Sequence, residues 1–408
     1  METRPSPTRS HERIFMLDVL RGFAIFGILM VNIMWYNSPI ASLISNNSLW
    51  TEPADIVTRF FITTFFEGKF YVLFSMLFGY GFWLFINKRQ EDGKPLSGLF
   101  ARRLLVLLFF GAAHILLLWP GDILLFYALA GFILMLFRKV RNESLILWAL
   151  VFIMIPVVFL GLAVLISLVP EAKLAMEESF RQRDVLFLNQ IENAISVYRE
   201  GTFMEMMRMR LQEYSLVLGG VLFFHVNILG MFLFGQFAAR KGYVKNLKEH
   251  LPMFRKLCFW GFIAGIPINL FTAWASLFSD IYFPSNLSLL AMFLSAFGGP
   301  ALSLAYVSGI IILYEKGYFS RLWRYLSSIG RMALTNYLLH SIIASFVFYS
   351  YGLGLYAKVV PWQGLILALI IYGLQIPFSM LWLKHFRYGP FEWLWRSLTY
   401  LKWQRFKK

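Results

Sequence analysis

Ten stretches long and apolar enough to cross a bilayer recur along the chain. They fall at about residues 15–36, 60–86, 102–119, 122–138, 144–169, 214–238, 257–278, 287–314, 331–351 and 362–384. A helix needs roughly 20 apolar residues to cross the hydrocarbon core, and in lipid every backbone polar group must be satisfied within the structure. The runs are continuous rather than alternating, which argues against a β-barrel. Of the 408 residues, 59% are hydrophobic and only 15% charged. The expected fold is therefore an all-α, polytopic transmembrane helical bundle of about ten spans. The first run is too long and too charged for a cleaved leader. Cys258 is the single cysteine, so an internal disulfide and any CxxC metal or redox motif are excluded.

The net charge of +16 is distributed by connection. The N-terminal arm holds three basic residues, 87–103 five, 138–143 three, 239–256 six, 315–331 four and the tail from Lys384 seven. The intervening connections WPGD and SDIYFPSN hold none, and 170–213 balances six basic against eight acidic residues. By the positive-inside rule both termini are expected in the cytoplasm. The basic excess reads as topology and contact with anionic inner-leaflet lipid, not as a nucleic-acid footprint.

The chain divides into a five-span half over 1–169, an extracytoplasmic helical connection over 170–213, a second five-span half over 214–384 and a basic tail over 385–408. The connection is either a cap or a segment lying on the membrane surface. The tail, with YGPFEWLWRSLTYLKWQRFKK, mixes Trp with Lys and Arg as an interfacial helix does.

Ionisable residues inside spans are costly and face protein or water rather than lipid. Asp18 and Arg21 share a face near the cytoplasmic end of the first span, either as a snorkelled ion pair or with Arg21 at an entrance for an anion. Asn32, fourteen residues beyond Asp18 and roughly 21 Å along a helix, falls near the external end. Glu67 and Lys69 flank Gly68, which marks either a break lining a cavity or a local cap. Arg102 and Arg103 enter the third span from the cytoplasm, and His114 lies near its outer end. The short Pro120–Gly121 turn makes the third and fourth spans neighbours, so His114 and Asp122 are placed to meet as a base and its orienting carboxylate. Asp122 alone is equally read as a helix cap. His225 and Asn227 lie inside the sixth span; Arg331, Asn336 and His340 lie on the ninth, the last two on one face as cavity lining or interhelical glue. There is no G-x-S-x-G elbow, Walker A loop, HExxH or metal-ligand spacing.

The segments RIFMLDVLRGFAIFGILMVN, EGKFYVLFSMLFGYGF, HILLLWPGDILLFYAL, GRMALTNYL and YGPFEWLWRSLTY resemble the YeiB-like bacterial membrane proteins, whose C-terminal domain is of unknown function. The likeness covers nearly the whole chain and implies the bacterial cytoplasmic membrane. More distantly, LDVLRGFA and the span–charged loop–paired-Arg pattern are similar to two membrane acyltransferase groups. One contains the lysosomal heparan-α-glucosaminide N-acetyltransferase, the other bacterial polysaccharide O-acyltransferases. That resemblance implies acyl-CoA bound from the cytoplasm and transfer to a small-molecule or envelope-polymer acceptor near the other face. The polysaccharide enzymes carry a catalytic His where this chain has Asn32; the lysosomal enzyme has Asn there and a His in the next external loop. Residues 37–53 hold no His, so the base falls to His114, Glu67 or another group.

On this reading Asp18, Arg21, Arg102, Arg103 and Arg331 form the phosphate-binding inner mouth. His114, Asp122, Glu67 and Asn32 form the catalytic group, with Asn32 or Lys69 stabilising the oxyanion. Lys69, Asn336 and His340 line the substrate path. No metal is expected, and a homodimer is compatible with the sequence. A transporter, with the same charges as a proton relay, and a non-catalytic membrane partner are the competing readings.

Overall fold

The computed structural model describes residues 14–45, 48–87, 96–278 and 286–408, apart from the side chains of 217, 219–225, 278 and 286. His225 therefore lies outside the described side chains, as do the three arginines of the N-terminal arm. Among the described residues the chain is helical, with one isolated bridge between Phe386 and Lys407 and no strand. The helices are α1 (Phe15–Asn37), α2 (Ile40–Leu43), α3 (Pro53–Phe65), α4 (Phe70–Asn87), α5 (Ser97–Leu117), α6 (Leu124–Leu134), α7 (Asn142–Ile166), α8 (Pro170–Glu200), α9 (Phe203–Lys241), α10 (Leu247–Phe278), α11 (Asn286–Glu315), α12 (Ser320–Arg331), α13 (Ala333–Phe348), α14 (Pro361–His385) and α15 (Pro390–Tyr400).

Every expected apolar run is helical. Among the described residues seven helical segments are long and apolar enough to cross a membrane, and α13 is a shorter apolar helix. The second run is broken between α3 and α4, where Gly68 adopts φ +83°, a conformation that favours glycine. The helix of the sixth run begins at Phe203, well before its apolar part, on a capping box in which Thr202 and Glu205 bond reciprocally. The mixed-charge connection folds as the single 31-residue helix α8.

The two halves of the chain interleave rather than standing apart. α1, largely buried, packs on α12, α13 and α14, and α4 packs on α9. Two of these crossings depend on glycine: a Cβ on Gly22 or Gly330 would strike the carbonyls of Leu326 and Asp18, and one on Gly79 or Gly235 those of Phe232 and Met76. Close approach through small residues is how helices associate where lipid removes the hydrophobic drive. One core cluster, running from Met16 to Tyr372, joins both halves. We call the end of the bundle where α1 starts the lower end, and the end where α1 finishes the upper end.

Candidate functional site

The last turn of α5 and the start of α6 are joined by Leu118–Ile123, in which the backbone N–H groups of Leu118 and Trp119 both donate to the His114 carbonyl. This tight reversal brings His114 beside Asp122. The His114 Nδ1 and Asp122 Oδ1 lie 2.8 Å apart, and Asp122 Oδ2 accepts the Leu125 backbone N–H at 2.7 Å. Asp122 thus makes two contacts at once: it accepts the N–H of the second residue of α6 and it faces the histidine.

The opposite ring nitrogen, Nε2, lies 2.7 Å from the hydroxyl of Ser341, on α13. That hydroxyl is 2.8 Å from the hydroxyl of Tyr36, on α1, and Tyr36 in turn hydrogen-bonds the Asn32 side chain one helical turn below. The exposures of His114, Asp122 and Ser341 are 2%, 6% and 0%. With Asp122 ionised its oxygens only accept, so His114 Nδ1–H donates to Asp122. With the imidazole neutral, Nε2 accepts from Ser341, whose oxygen accepts from Tyr36, whose oxygen accepts from Asn32. The rings of Tyr337 and Trp119 wall the imidazole, with centroids at 5.4 and 6.2 Å, and Trp119 packs on Tyr36 at 4.3 Å.

An aligned hydroxyl, imidazole and carboxylate is the arrangement that makes a serine nucleophilic: the base takes the hydroxyl proton while the carboxylate holds the tautomer and stabilises the imidazolium. Ser341 and Tyr36 were missed by the sequence reading, which weighed ionisable side chains. The available signals were positional: Ser341 follows His340, and Tyr36 stands four residues after Asn32.

Other expected site residues are placed elsewhere. Glu67 is exposed and accepts from the Thr63 hydroxyl at 2.9 Å. Lys69 is buried and donates to the Thr63 carbonyl at 2.7 Å. Both serve the α3–α4 break. Asn336 and His340 belong to a second polar seam, between α13 and α14. There His340 Nε2–H donates to Gln375 Oε1 at 2.8 Å, Gln375 donates to the Asn336 carbonyl at 3.1 Å, and the Asn336 amide donates to the Ile329 carbonyl and the Ser379 hydroxyl. Consecutive residues of one helix thus serve two seams: Ser341 turns to α5 and His340 to α14.

At the lower end, Arg21 pairs with Asp18 at 2.9 Å. Arg103 stacks 3.8 Å from the Trp395 ring centroid, and the Trp395 indole donates to the Arg103 carbonyl at 2.9 Å. The guanidinium of Arg103 lies within electrostatic reach of both Arg21 and Arg396. Arg331 ends α12, the helix that crosses α1 at Asp18 and Gly22, so it lies at the same end. Arg102 is exposed and reaches the Thr399 carbonyl at 3.2 Å, fastening the tail helix. Arg396, in a tail read only as interfacial, was also missed. Two cavities were located away from the relay: one of about 480 Å³ at the lower end beside Ile14 and Val244, and one of about 390 Å³ between α8 and α9 at the upper end.

The upper end is closed over Tyr36 by polar ties. Arg199, at the end of α8, donates to the carbonyls of Tyr356 and Ala357 at 2.7 and 2.9 Å, and Asn37 binds the same loop through Ala357 and Val359. Tyr198 stacks on Tyr349 at 4.7 Å.

Fold and site together define a polytopic α-helical membrane protein with a buried Ser–His–Asp relay. Across its whole length the chain is 35% identical to the uncharacterized protein YxaH of Bacillus subtilis (strain 168), covering 98% of each chain. It is 30% identical to the uncharacterized protein YeiB of Escherichia coli (strain K12), over 95% of this chain and 96% of that one. It is also 30% identical to an uncharacterized 39.9 kDa protein in the amylase 3′ region of Bacillus acidopullulyticus, over 97% and 96%. Residues 238–402 match a family model described as a protein of unknown function (DUF418). The chain belongs to the YeiB-like family. No solved structure matches it significantly.

Proposed function

We propose that the protein is a membrane acyltransferase that moves an acyl group from acyl-CoA onto Ser341 and from there to an acceptor near the opposite face. The observation that carries this reading is the Ser341 hydroxyl held 2.7 Å from His114 Nε2, with Asp122 2.8 Å from Nδ1. The proton that His114 is placed to take is that of Ser341, which makes serine the nucleophile rather than the acceptor itself. In the first step the Ser341 proton passes to His114 as the oxygen bonds to the thioester carbonyl carbon. The carbon–sulfur bond then breaks, and the thiol leaves with the proton from His114. In the second step an acceptor hydroxyl or amine gives its proton to His114 and attacks the acyl-serine; Ser341 leaves and recovers the proton. Tyr36, oriented by Asn32, donates to the oxyanion as it forms.

The lower end suits a polyanionic donor. Arg21, Arg103, Arg331 and Arg396 gather there, with Trp395 as a stacking face, and guanidinium is the side chain of choice for phosphate. The basic connections lie at that end, so by the positive-inside rule we infer it to be the cytoplasmic side of a bacterial cytoplasmic membrane. Purified protein incubated with radiolabelled acyl-CoA and quenched in acid should carry label on a peptide containing Ser341, and Ser341→Ala should carry none. Absence of both adduct and coenzyme A binding across short and long acyl chains would overturn the reading.

A further inference from the structure

Arg210 lies near the start of α9, at the upper end, and is 0% exposed. Its Nη1 donates to the carbonyl of Leu116 at 3.0 Å, while Nε and Nη2 have no partner among the described residues. Glu213, one turn further along, is already engaged. Its Oε1 accepts the Ile40 backbone N–H and its Oε2 the Tyr198 hydroxyl, each at 2.8 Å. The rings of Phe203 and Tyr349 stand 5.4 and 5.2 Å from the guanidinium carbon. They favour a cation, but they offer no oxygen to the N–H groups in the guanidinium plane.

A buried charge left without in-plane acceptors is costly, and orphaned buried donors in a native protein need an explanation. The two orphans are not arbitrary. Nε and Nη2 form one edge of the planar guanidinium, and their parallel N–H bonds match two oxygens of a single carboxylate or phosphate. We propose that this edge is a recognition site for an oxyanion, a carboxylate or phosphate borne by the acyl acceptor.

Its place supports that role. Leu116, which holds Arg210, stands two residues beyond His114 on α5. Tyr349, against the guanidinium, lies within electrostatic reach of both Arg210 and Tyr36. Arg210 thus stands at the same end of α5 as His114. The acceptor's part in the chemistry rests on the acyl-transfer reading above; the anion site itself does not.

The test is thermal unfolding of the purified protein in neutral detergent at constant ionic strength, with glycerol 3-phosphate, inorganic phosphate, acetate or glycerol added. Glycerol 3-phosphate and the simple anions should raise the melting temperature and glycerol should not. A weaker effect of phosphate than of glycerol 3-phosphate supports an anion carried by a larger ligand, whereas equal effects remove the acceptor from the proposal. Arg210→Lys, which keeps the charge but loses the fork, should weaken anion affinity at least tenfold. Arg210→Met should abolish the anion response; because it also leaves Glu213 without its neighbouring cation and the Leu116 carbonyl without its donor, its melting temperature in anion-free buffer should fall. An Arg210→Lys variant that responds to anions as wild type does, or no anion response in wild type, would overturn the site. Ser341→Ala should keep the full anion response. An anion response without any acyl transfer leaves the site standing and removes the transfer reading; undiminished transfer by Arg210→Met removes the acceptor role alone.

Discussion

Asp122→Asn separates what the relay does from what the fold needs. Asp122 makes two bonds, one to His114 Nδ1 and one to the Leu125 N–H that starts α6. Asparagine is as good a cap as aspartate, so its oxygen keeps the Leu125 bond. Its NH₂ group then faces Nδ1, which must become an acceptor, and the imidazole proton moves to Nε2. That nitrogen now donates to Ser341 and can no longer take its proton. Stability should change by less than about 1 kcal/mol, within the range of cap-preserving replacements. Acylation of Ser341 should slow by about 10³–10⁴-fold, the size of the effect when a triad histidine is held in the wrong tautomer, or about 4–5.5 kcal/mol of barrier. The assay pairs melting curves with the rate at which a fluorophosphonate labels Ser341, a readout that needs no knowledge of the natural substrate. A variant that melts with wild type and labels at the wild-type rate would refute the relay. One that melts far lower would show Asp122 to be chiefly structural.

Gly330→Ala drives a methyl group into the Asp18 carbonyl at the α1–α12 crossing; it should cost about 1–3 kcal/mol by overpacking and lower the melting temperature. Glu392→Ala removes the carboxylate that accepts from the Leu334 and Thr335 N–H groups and the Thr335 hydroxyl, stranding buried donors at the start of α13 for about 1–3 kcal/mol; Glu392→Gln should recover part of that on the same melting assay. In the first turn of α9, ahead of its apolar part, the N–H and hydroxyl of Thr202 hold the Glu205 carboxyl below its ordinary range. Its cap contribution is therefore full at neutral pH and lost as pH falls through the lowered value, so amide exchange at the start of α9 should accelerate in acid, and Glu205→Gln should flatten that dependence.

The parts of the site that the sequence disclosed are those whose presence in lipid is expensive. His114, Asp122 and Arg21 stand out because an apolar run has no cheap place for them, and the two-residue Pro120–Gly121 turn between the third and fourth runs sufficed to pair His114 with Asp122. Ser341 offered no such contrast. A serine in a membrane helix satisfies itself on a carbonyl of the preceding turn, as Ser75 does on Tyr71 and Ser345 on Ile342. Which serine instead turns outward is decided by how α13 is rotated against α5, a tertiary fact. Arg210 was concealed for a different reason: within a segment of balanced charge it counted as one more solvated residue, and its burial is set by the packing of α8, α9 and the 349–357 loop. Glu67 and Lys69 drew notice for their charge, but the Gly68 turn consumes both in stabilising a break.

α5 serves as the ruler of the proposed reaction. Arg103 stands at its foot, His114 eleven residues higher, and the Leu116 carbonyl that holds Arg210 two residues beyond. At 1.5 Å per residue the donor's anchor lies about 16 Å below the base, and Leu116, whose carbonyl holds Arg210, about 3 Å above it along the axis. This asymmetry has chemical content. A donor gripped by its phosphates at Arg103 reaches Ser341 only through a long, slender arm, which a pantetheine supplies and a compact acyl phosphate does not. An acceptor gripped by its anion at Arg210 would approach the relay from the upper end, opposite to the donor. On the proposed reading, the relay also sets an enzyme apart from an alternating-access carrier. The relay is closed by hydrogen bonds among α1, α5, α6 and α13, and rocking one half against the other would sever the contact between His114 and Ser341 at each cycle. A nucleophilic serine, as proposed, requires that match of hydroxyl, imidazole and carboxylate to be held closed.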